Sequence, residues 1–273
     1  MTKREYAEKV AELVGGEVRE VEKANGVILT GISRMEEGSN IAPTIYIDKD
    51  YEEGTPVEIV GEKVDHAIRM NSNVSFDIEK LTVWENVKPM LRARLYNKKT
   101  TADVKRSAKM YGYGDLIIVP YIDMDGASAK VTKDLVKAYG VTEKTVIDTA
   151  IKNTEDDFEI KSMREIMKEM MQVDDEMFEA MFPVGEPPMY VITNSKRFYG
   201  AISVISAQDK LEELFPDGYA IIPSSVHEVL AIPLSDEVDE QMLKGMIGEV
   251  NATEVAAEEV LGSRAYIFKE VEA

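Results

Sequence analysis

Apolar positions in residues 2–14 fall at Tyr6, Val10, Leu13 and Val14, close to the spacing of one helix face. Thr2, with Glu5 three residues later, predicts a capping box, and Gly15-Gly16 ends the helix. Val18 and Val21, the Asn25-Gly26 turn, then Val27, Leu29 and Ile32 predict a hairpin, because Asn-Gly readily takes positive φ. The run Ala42 to Ile47 predicts a third strand, with Pro43 suited to its first position. Residues 56–70 return to helical spacing. Residues 1–82 are therefore expected to form one unit of helix, three-strand meander and helix.

A second unit is expected over 83–183. Met90 to Tyr96 alternates weakly, as in a strand, while Thr101 to Met110 has helical character. Leu116 to Val119 predicts a buried strand. Gly126 turns the chain into Ala127 to Val131. Helices follow at Lys133 to Tyr139, closed by Gly140, and at Glu143 to Lys152, capped by Thr142. An acidic helix carrying Met163, Met167, Met170 and Met171 completes the unit, and Pro183 to Pro188 breaks the chain.

Residues 184–273 predict strands at Met189–Thr193, Ala201–Ile205, Tyr219–Ile222, Val226–Ile232 and Ala265–Phe268. Helices are expected at Ala207–Leu214, Val238–Val250 and Glu254–Leu261. Short connections cannot make parallel crossovers. The fold class is thus α+β: two or three small antiparallel sheets, each packed with helices on one face.

Composition narrows the chemistry. The chain of 273 residues has no cysteine, which excludes disulfides, thiolate zinc sites and iron–sulfur clusters and fits a reducing cytoplasm. The charged N-terminus lacks a signal-peptide core, and no apolar run approaches membrane-spanning length, so a cytoplasmic protein is expected without membrane partners. The formal net charge is −19. Between Arg92 and Lys109, however, seven basic residues face one acid, so this segment is +6 and the remainder −25. Such an island either seats an acidic ligand or pairs with acids of its own surface.

The strongest chemical signal is Ile221 to Pro233, where Ser224, Ser225, His227 and Glu228 stand between two apolar runs. A nucleophilic serine needs a base in reach, an orienting acid and an oxyanion hole. Ser225 and His227 are two apart, which makes a poor relay on an extended chain, and there is no glycine elbow. His227-Glu228 begins like a zinc-protease motif, but Ala231 stands where the second histidine belongs. His66 is the other histidine, so a three-histidine metal site is impossible; neither metal nor cofactor is expected, while a carboxylate-only Mg²⁺ or Ca²⁺ site stays open. Asp123-Met124-Asp125-Gly126 lacks the glutamate of a calcium loop. Tyr111-Gly112-Tyr113-Gly114 precedes a strand instead of opening a helix, unlike a phosphate loop.

These failures favour a non-enzymatic binding or adaptor protein whose partner is another protein. Its docking residues are expected on the helix face of Met163, Met167 and Met170, around Ser39, Asn40 and Thr44, and at Asn194 and Ser224. The methionine face has a second reading, as filler of an internal groove. Two other functions stay open. One is a hydrolase using His227 with Ser225, Glu228 or another carboxylate. The other is an acidic mimic of nucleic acid that inhibits a host or defence protein. Nucleic acid itself is not expected as a ligand, since Trp84 and Tyr46 are single aromatics without a basic stripe. The oligomeric state is not legible.

Five segments carry a family resemblance. They are Asn25-Gly26-Val27 with Leu29 and Gly31; Glu37 to Tyr46 followed by Tyr51 and Gly54; Met189 to Asn194 with Gly200-Ala201; Ile221 to Pro233; and Val250 to Val255 with Glu259-Val260-Leu261. In this order the chain resembles a domain-of-unknown-function family common in gut Clostridia of the Lachnospiraceae and Ruminococcus type. That resemblance implies a bacterial or mobile-element setting and no particular activity. Family members often carry Pro-His-Arg ahead of the central strand, whereas Ser107 to Tyr113 holds no histidine. A more distant likeness is to a second uncharacterised bacterial family, around Val141-Thr142-Glu143. The opening helix–meander–helix order also looks like small secretion-chaperone folds, at fold level alone.

Overall fold

The computed structural model describes residues 1–37, 39, 42–71, 77, 79–110, 113–124, 127–171, 174–182, 189–235 and 238–269. Asn40, Asp125-Gly126, Tyr111-Gly112 and the Pro183–Pro188 break lie outside the described residues. The chain divides into two compact units, Met1–Leu81 and Thr82–Ala273.

In the first unit, α1 (Lys3–Val14) starts at the expected capping box, with Thr2 and Glu5 bonded reciprocally, and ends at Gly15 in the left-handed region. The strands β1 (Glu17–Glu22), β2 (Ile28–Ser33) and β3 (Thr44–Tyr46) form an antiparallel sheet in chain order. Asn25 takes φ 61° in the β1–β2 turn. Gly31 lets β3 approach β2 closely, since a Cβ there would lie 2.5 Å from Thr44 Cγ2 and force that side chain to shift. Then come α2 (Asp48–Glu52) and α3 (Val57–Met70). Tyr6, Val10 and Val14 of α1 pack with Ile32, Ile47, Val60, Val64 and Ile68 into one core. Full burial of each aliphatic side chain contributes roughly 1.5–3 kcal/mol.

The second unit contains the other two sheets. After α4 (Trp84–Val87) come β4 (Leu91–Asn97), β5 (Arg106–Met110), β6 (Tyr113–Asp123) and β7 (Ser128–Lys130). They form an antiparallel sheet in the order β4-β6-β5, with β7 also on β6. Pro120 sits in β6 after the β5 ladder ends at Ile118 and before the β7 ladder starts at Tyr121, so its missing N–H removes no ladder bond. Leu91, Ala93 and Leu95 share one face of β4 and are buried. The helices α5 (Lys133–Tyr139) and α6 (Glu143–Lys152) start at Thr132 and Thr142 hydroxyl caps, and α6 packs on β4 and β6.

The last sheet has the order β12-β10-β11-β9-β8, antiparallel throughout. Its strands are β8 (Glu159–Ser162), β9 (Tyr190–Thr193), β10 (Tyr219–Ile222), β11 (Val229–Pro233) and β12 (Tyr266–Phe268). Residues of β8 and β9 thus pair across the Pro183–Pro188 break. Between them lie α7 (Met163–Met171) and α8 (Asp175–Met181). The short α9 (Ser203–Ser206) and α10 (Gln208–Leu214) precede β10, and α11 (Glu240–Thr253) precedes β12. Leu243 and Ile247 of α11 cover Ala220, Ile222, Leu230 and Ile232 on one face of the sheet. Every residue of β10 is buried, which explains its uninterrupted apolar reading.

Three expected elements differ. Thr101 to Lys105 is not helical and leads into β5, whose ladder on β6 overrides the weak helical pattern. Ala201 to Ile205 is a short helical segment instead of a strand, because Ala201 N–H bonds Val226 O and the chain turns there. Glu254 to Leu261 is not a helix either: Val226 N–H donates to Glu259 O, and Val260 bridges Ser225. A non-local partner outcompetes local spacing in each case.

Candidate functional site

The turn after β10 gathers Ser224, Ser225, His227 and Glu228, and its polar groups largely satisfy one another. Ser225 Oγ donates to Glu228 Oε1 at 2.7 Å and accepts from the His227 N–H at 3.0 Å. This is the hydroxyl-capped turn that a serine ahead of a strand offers. The imidazole is engaged elsewhere. Its Nδ1 accepts the Tyr199 N–H at 3.1 Å, and its Nε2 lies 3.2 Å from Glu259 Oε1. A ring nitrogen that accepts a backbone N–H carries no proton, so Nε2 holds the hydrogen and points it at Glu259. The Phe198 and Tyr199 rings pack on the imidazole with centroids 5.2 Å away. The hydroxyl and the imidazole brought close by sequence thus face different partners.

What His227 holds is the loop after β9. Thr193 Oγ1 donates to His227 O at 2.8 Å, and Asn194 closes the loop through both side-chain atoms, onto Phe198 N and Phe198 O. Arg197 and Tyr199 take φ of 51° and 52°, unusual for residues with side chains. Gly200 follows where a Cβ would lie 2.2 Å from Thr193 Oγ1 and 2.8 Å from His227 O. Backbone held in this region stores strain, and such strain concentrates at functional sites.

The loop delivers the Tyr199 ring to Arg94. On β4, Arg92, Arg94 and Tyr96 alternate with the buried apolar residues and so share the other face, beside Val119 and Tyr121 of β6. Arg94 is 8% exposed, and its guanidinium carbon lies 4.0 Å from the Tyr121 ring centroid and 3.7 Å from that of Tyr199. The Tyr96 and Tyr121 hydroxyls meet at 3.1 Å. Burial pushes both above the ordinary tyrosine range, against the opposing pull of Arg94, so both stay protonated. Among the described residues no carboxylate forms an ion pair with Arg94. Its cation is held by π faces and tyrosine hydroxyls alone.

Arg94 lines a cleft of about 510 Å³ together with Arg92, Asp123, Ser128, Asn153, Thr154, Asp157, Asn194, Lys196, Phe198 and Tyr199. Several of these groups are already engaged. Thr154 Oγ1 accepts the Ala93 N–H, Asn153 bonds the carbonyls of Lys88 and Leu91, and Asp157 accepts the Ser195 N–H. Lys196 and Asp123 form a loose pair at 3.6 Å. Phe198 stands at 55% exposure.

A second concavity, about 440 Å³, is apolar. Met163, Ile166, Met189, Val191, Leu230, Met246 and Val250 line it, with Thr193, Arg197, Ile222, Ser224 and Glu228. The structure thus brings Met163, Ser224 and Glu228 to one groove. Asn194 lies on the Arg94 cleft instead. Of the methionine face, Met163 and Met167 are half-buried and Met163 packs against the core under α11, as the internal-filler reading expects, while Met170 is 75% exposed, as the docking reading expects. Ser39 and Thr44 are half-buried residues of the first unit. Arg94 was missed as a site residue, although the basic island that contains it is visible in sequence. Arg106 of the same island pairs with Asp148.

Among the described residues no group of three or more histidines and carboxylates is placed to hold a metal ion, and no helix is long and apolar enough to cross a membrane. The fold defines an α+β protein built on three small antiparallel sheets. The chain belongs to a family of unknown function (DUF5688), whose family model matches residues 2–270. No curated protein and no solved structure matches it.

Proposed function

We propose that the protein is a non-enzymatic binding or adaptor protein of a bacterial cytoplasm. On this reading its apolar groove receives an amphipathic, net basic segment of a partner protein. The observation that carries it is the unburied methionine face of α7 beside a groove lined by Met163, Ile166, Met189 and Met246. Unbranched thioether side chains adapt to varied apolar surfaces at low cost. The net charge of −19 complements a basic partner across the surface as a whole, while Glu228 and Arg197 balance within the groove lining. The absence of cysteine supports the reducing compartment.

The test places a photoreactive analogue at Met170 and identifies the segment captured in host lysate. The captured segment is expected to be amphipathic and basic. Met163→Gln combined with Met246→Gln is expected to cut capture about tenfold, as removal of central apolar anchors does, with the fold intact by circular dichroism although the urea midpoint falls, because both side chains also pack on the core. Capture that ignores both changes in a folded variant, or no captured segment, overturns the reading.

A further inference from the structure

We infer that the cleft at Arg94 is a small-molecule site, separate from the apolar groove, and that its ligand is a monocarboxylate bearing hydrogen-bond donors, such as an α-amino or α-hydroxy acid. The argument starts from the cost of the arginine. Arg94 is 8% exposed as a residue, so its guanidinium has exchanged most of its water for tyrosine rings and hydroxyls, whereas such groups are ordinarily paired with a carboxylate. Arg94 has no such partner among the described residues, and it lines an open cleft of about 510 Å³, the size range of small-ligand pockets. The N–H fork of arginine matches a planar carboxylate through two parallel bonds.

Lining charge selects among anions. Arg92, Arg94 and Lys196 stand against Asp123 and Asp157, which leaves one net positive charge. This balance suits the single negative charge of an α-hydroxy acid, or an amino acid whose carboxylate meets Arg94 while its ammonium meets a carboxylate, and disfavours a doubly ionised phosphate, which Asp123 and Asp157 would repel. The same two carboxylates accept hydrogen bonds, so they complement an amino or hydroxyl group next to the ligand's carboxylate. Asp157 has one oxygen on the Ser195 N–H and its second oxygen for this role. Phe198, at the rim, offers an exposed aromatic surface to the ligand's side chain.

The construction of the wall supports the same conclusion. Tyr199 reaches Arg94 in a left-handed backbone conformation fixed by His227 Nδ1, while Gly200 admits the close approach of Thr193. A loop held this tightly preorganises a site and lowers the ordering cost of binding.

The experiment is a calorimetric and thermal-shift titration of the full chain with each standard amino acid, lactate and inorganic phosphate in turn. Saturable binding of at least one amino or hydroxy acid is expected, with phosphate at least tenfold weaker. Arg94→Lys is expected to weaken the bound acid at least tenfold and Arg94→Met to abolish it, both with the fold intact by circular dichroism. Asp157→Asn is expected to reduce the preference for amino acids over lactate. Binding that survives Arg94→Met, phosphate binding as tight as any carboxylate, or no response from the folded wild type to any of these acids would overturn the assignment. Because the groove variants Met163→Gln and Met246→Gln leave the cleft lining untouched, acid binding that persists in them separates this site from the partner groove.

Discussion

The turn at Ser225–Glu228 and the cleft at Arg94 contain similarly reactive side chains and use them in opposite ways. In the turn, the serine hydroxyl bonds the glutamate three residues on, and both imidazole nitrogens are engaged by Tyr199 and Glu259. In the cleft, a buried guanidinium rests on tyrosine rings and has no ion-pair partner among the described residues. The serine's bonds are local and have a small ordering cost, whereas the imidazole's partners lie 28 and 32 residues away. Arg94 also meets groups from distant segments, but these are ring faces and hydroxyls, and none is a counter-charge among the described residues. A cluster conspicuous in sequence is therefore a good place to look for structure, and a buried charge without a counter-charge is a better place to look for ligand.

The comparison is most sharply broken at the glycine that joins the two regions. Gly200→Ala forces a Cβ against Thr193, Asn194 and His227 O and should cost about 3 kcal/mol. Urea unfolding would measure this, and acid binding should fall with it as Tyr199 moves. A cost below about 1 kcal/mol would show that the loop yields easily. Next, His227→Ala removes the acceptor of the half-buried Tyr199 N–H and should lose about 1 kcal/mol. A variant that keeps its urea midpoint but loses hydrolytic activity on an ester panel would instead make His227 a reacting group.

Ser225→Ala removes a donor and acceptor from the turn and should cost about 1 kcal/mol without changing acid affinity. Arg94→Met should have the opposite pattern. Replacing a buried cation that has no ion-pair partner among the described residues by an apolar side chain of similar length is expected to be neutral or to stabilise by about 1 kcal/mol, while binding is lost. A large loss of stability would instead make Arg94 a structural strut.

The smallest expected effect is at alkaline pH. Burial raises the Tyr96 and Tyr121 hydroxyls in the folded protein, so the unfolded chain ionises first. Their contribution is complete below the ordinary tyrosine range and is lost as pH rises through it toward the folded values. Tyr96→Phe should flatten the alkaline fall of the urea midpoint, and an unchanged slope would remove burial as its cause.

Sequence reading reached the first unit well because its signals are local. The Thr2–Glu5 box, the Asn25-Gly26 turn and the apolar face of residues 57–68 each act within a few positions. It placed Thr142, β10 and β11 for the same reason. It missed β5, the turn at Ala201 and the bridge at Val260, whose partners are far away in the chain. It named His227 and Ser225 but gave no means of telling that their bonds run to Tyr199, Glu259 and Glu228. It marked the basic island without separating Arg94, beside two tyrosines, from Arg106, paired with Asp148.

The sequence by itself determined the alternation of small strands with helices, the caps that start them and the absence of thiol chemistry. Those properties depend on residue type and short-range geometry. The tertiary structure alone decided that Tyr121 and Tyr199 close on Arg94, that Met163 packs on the core while Met170 stays exposed, and that Asn194 and Ser224 face different cavities. A charge is costly or useful according to which groups surround it in space, and three-dimensional packing sets those surroundings.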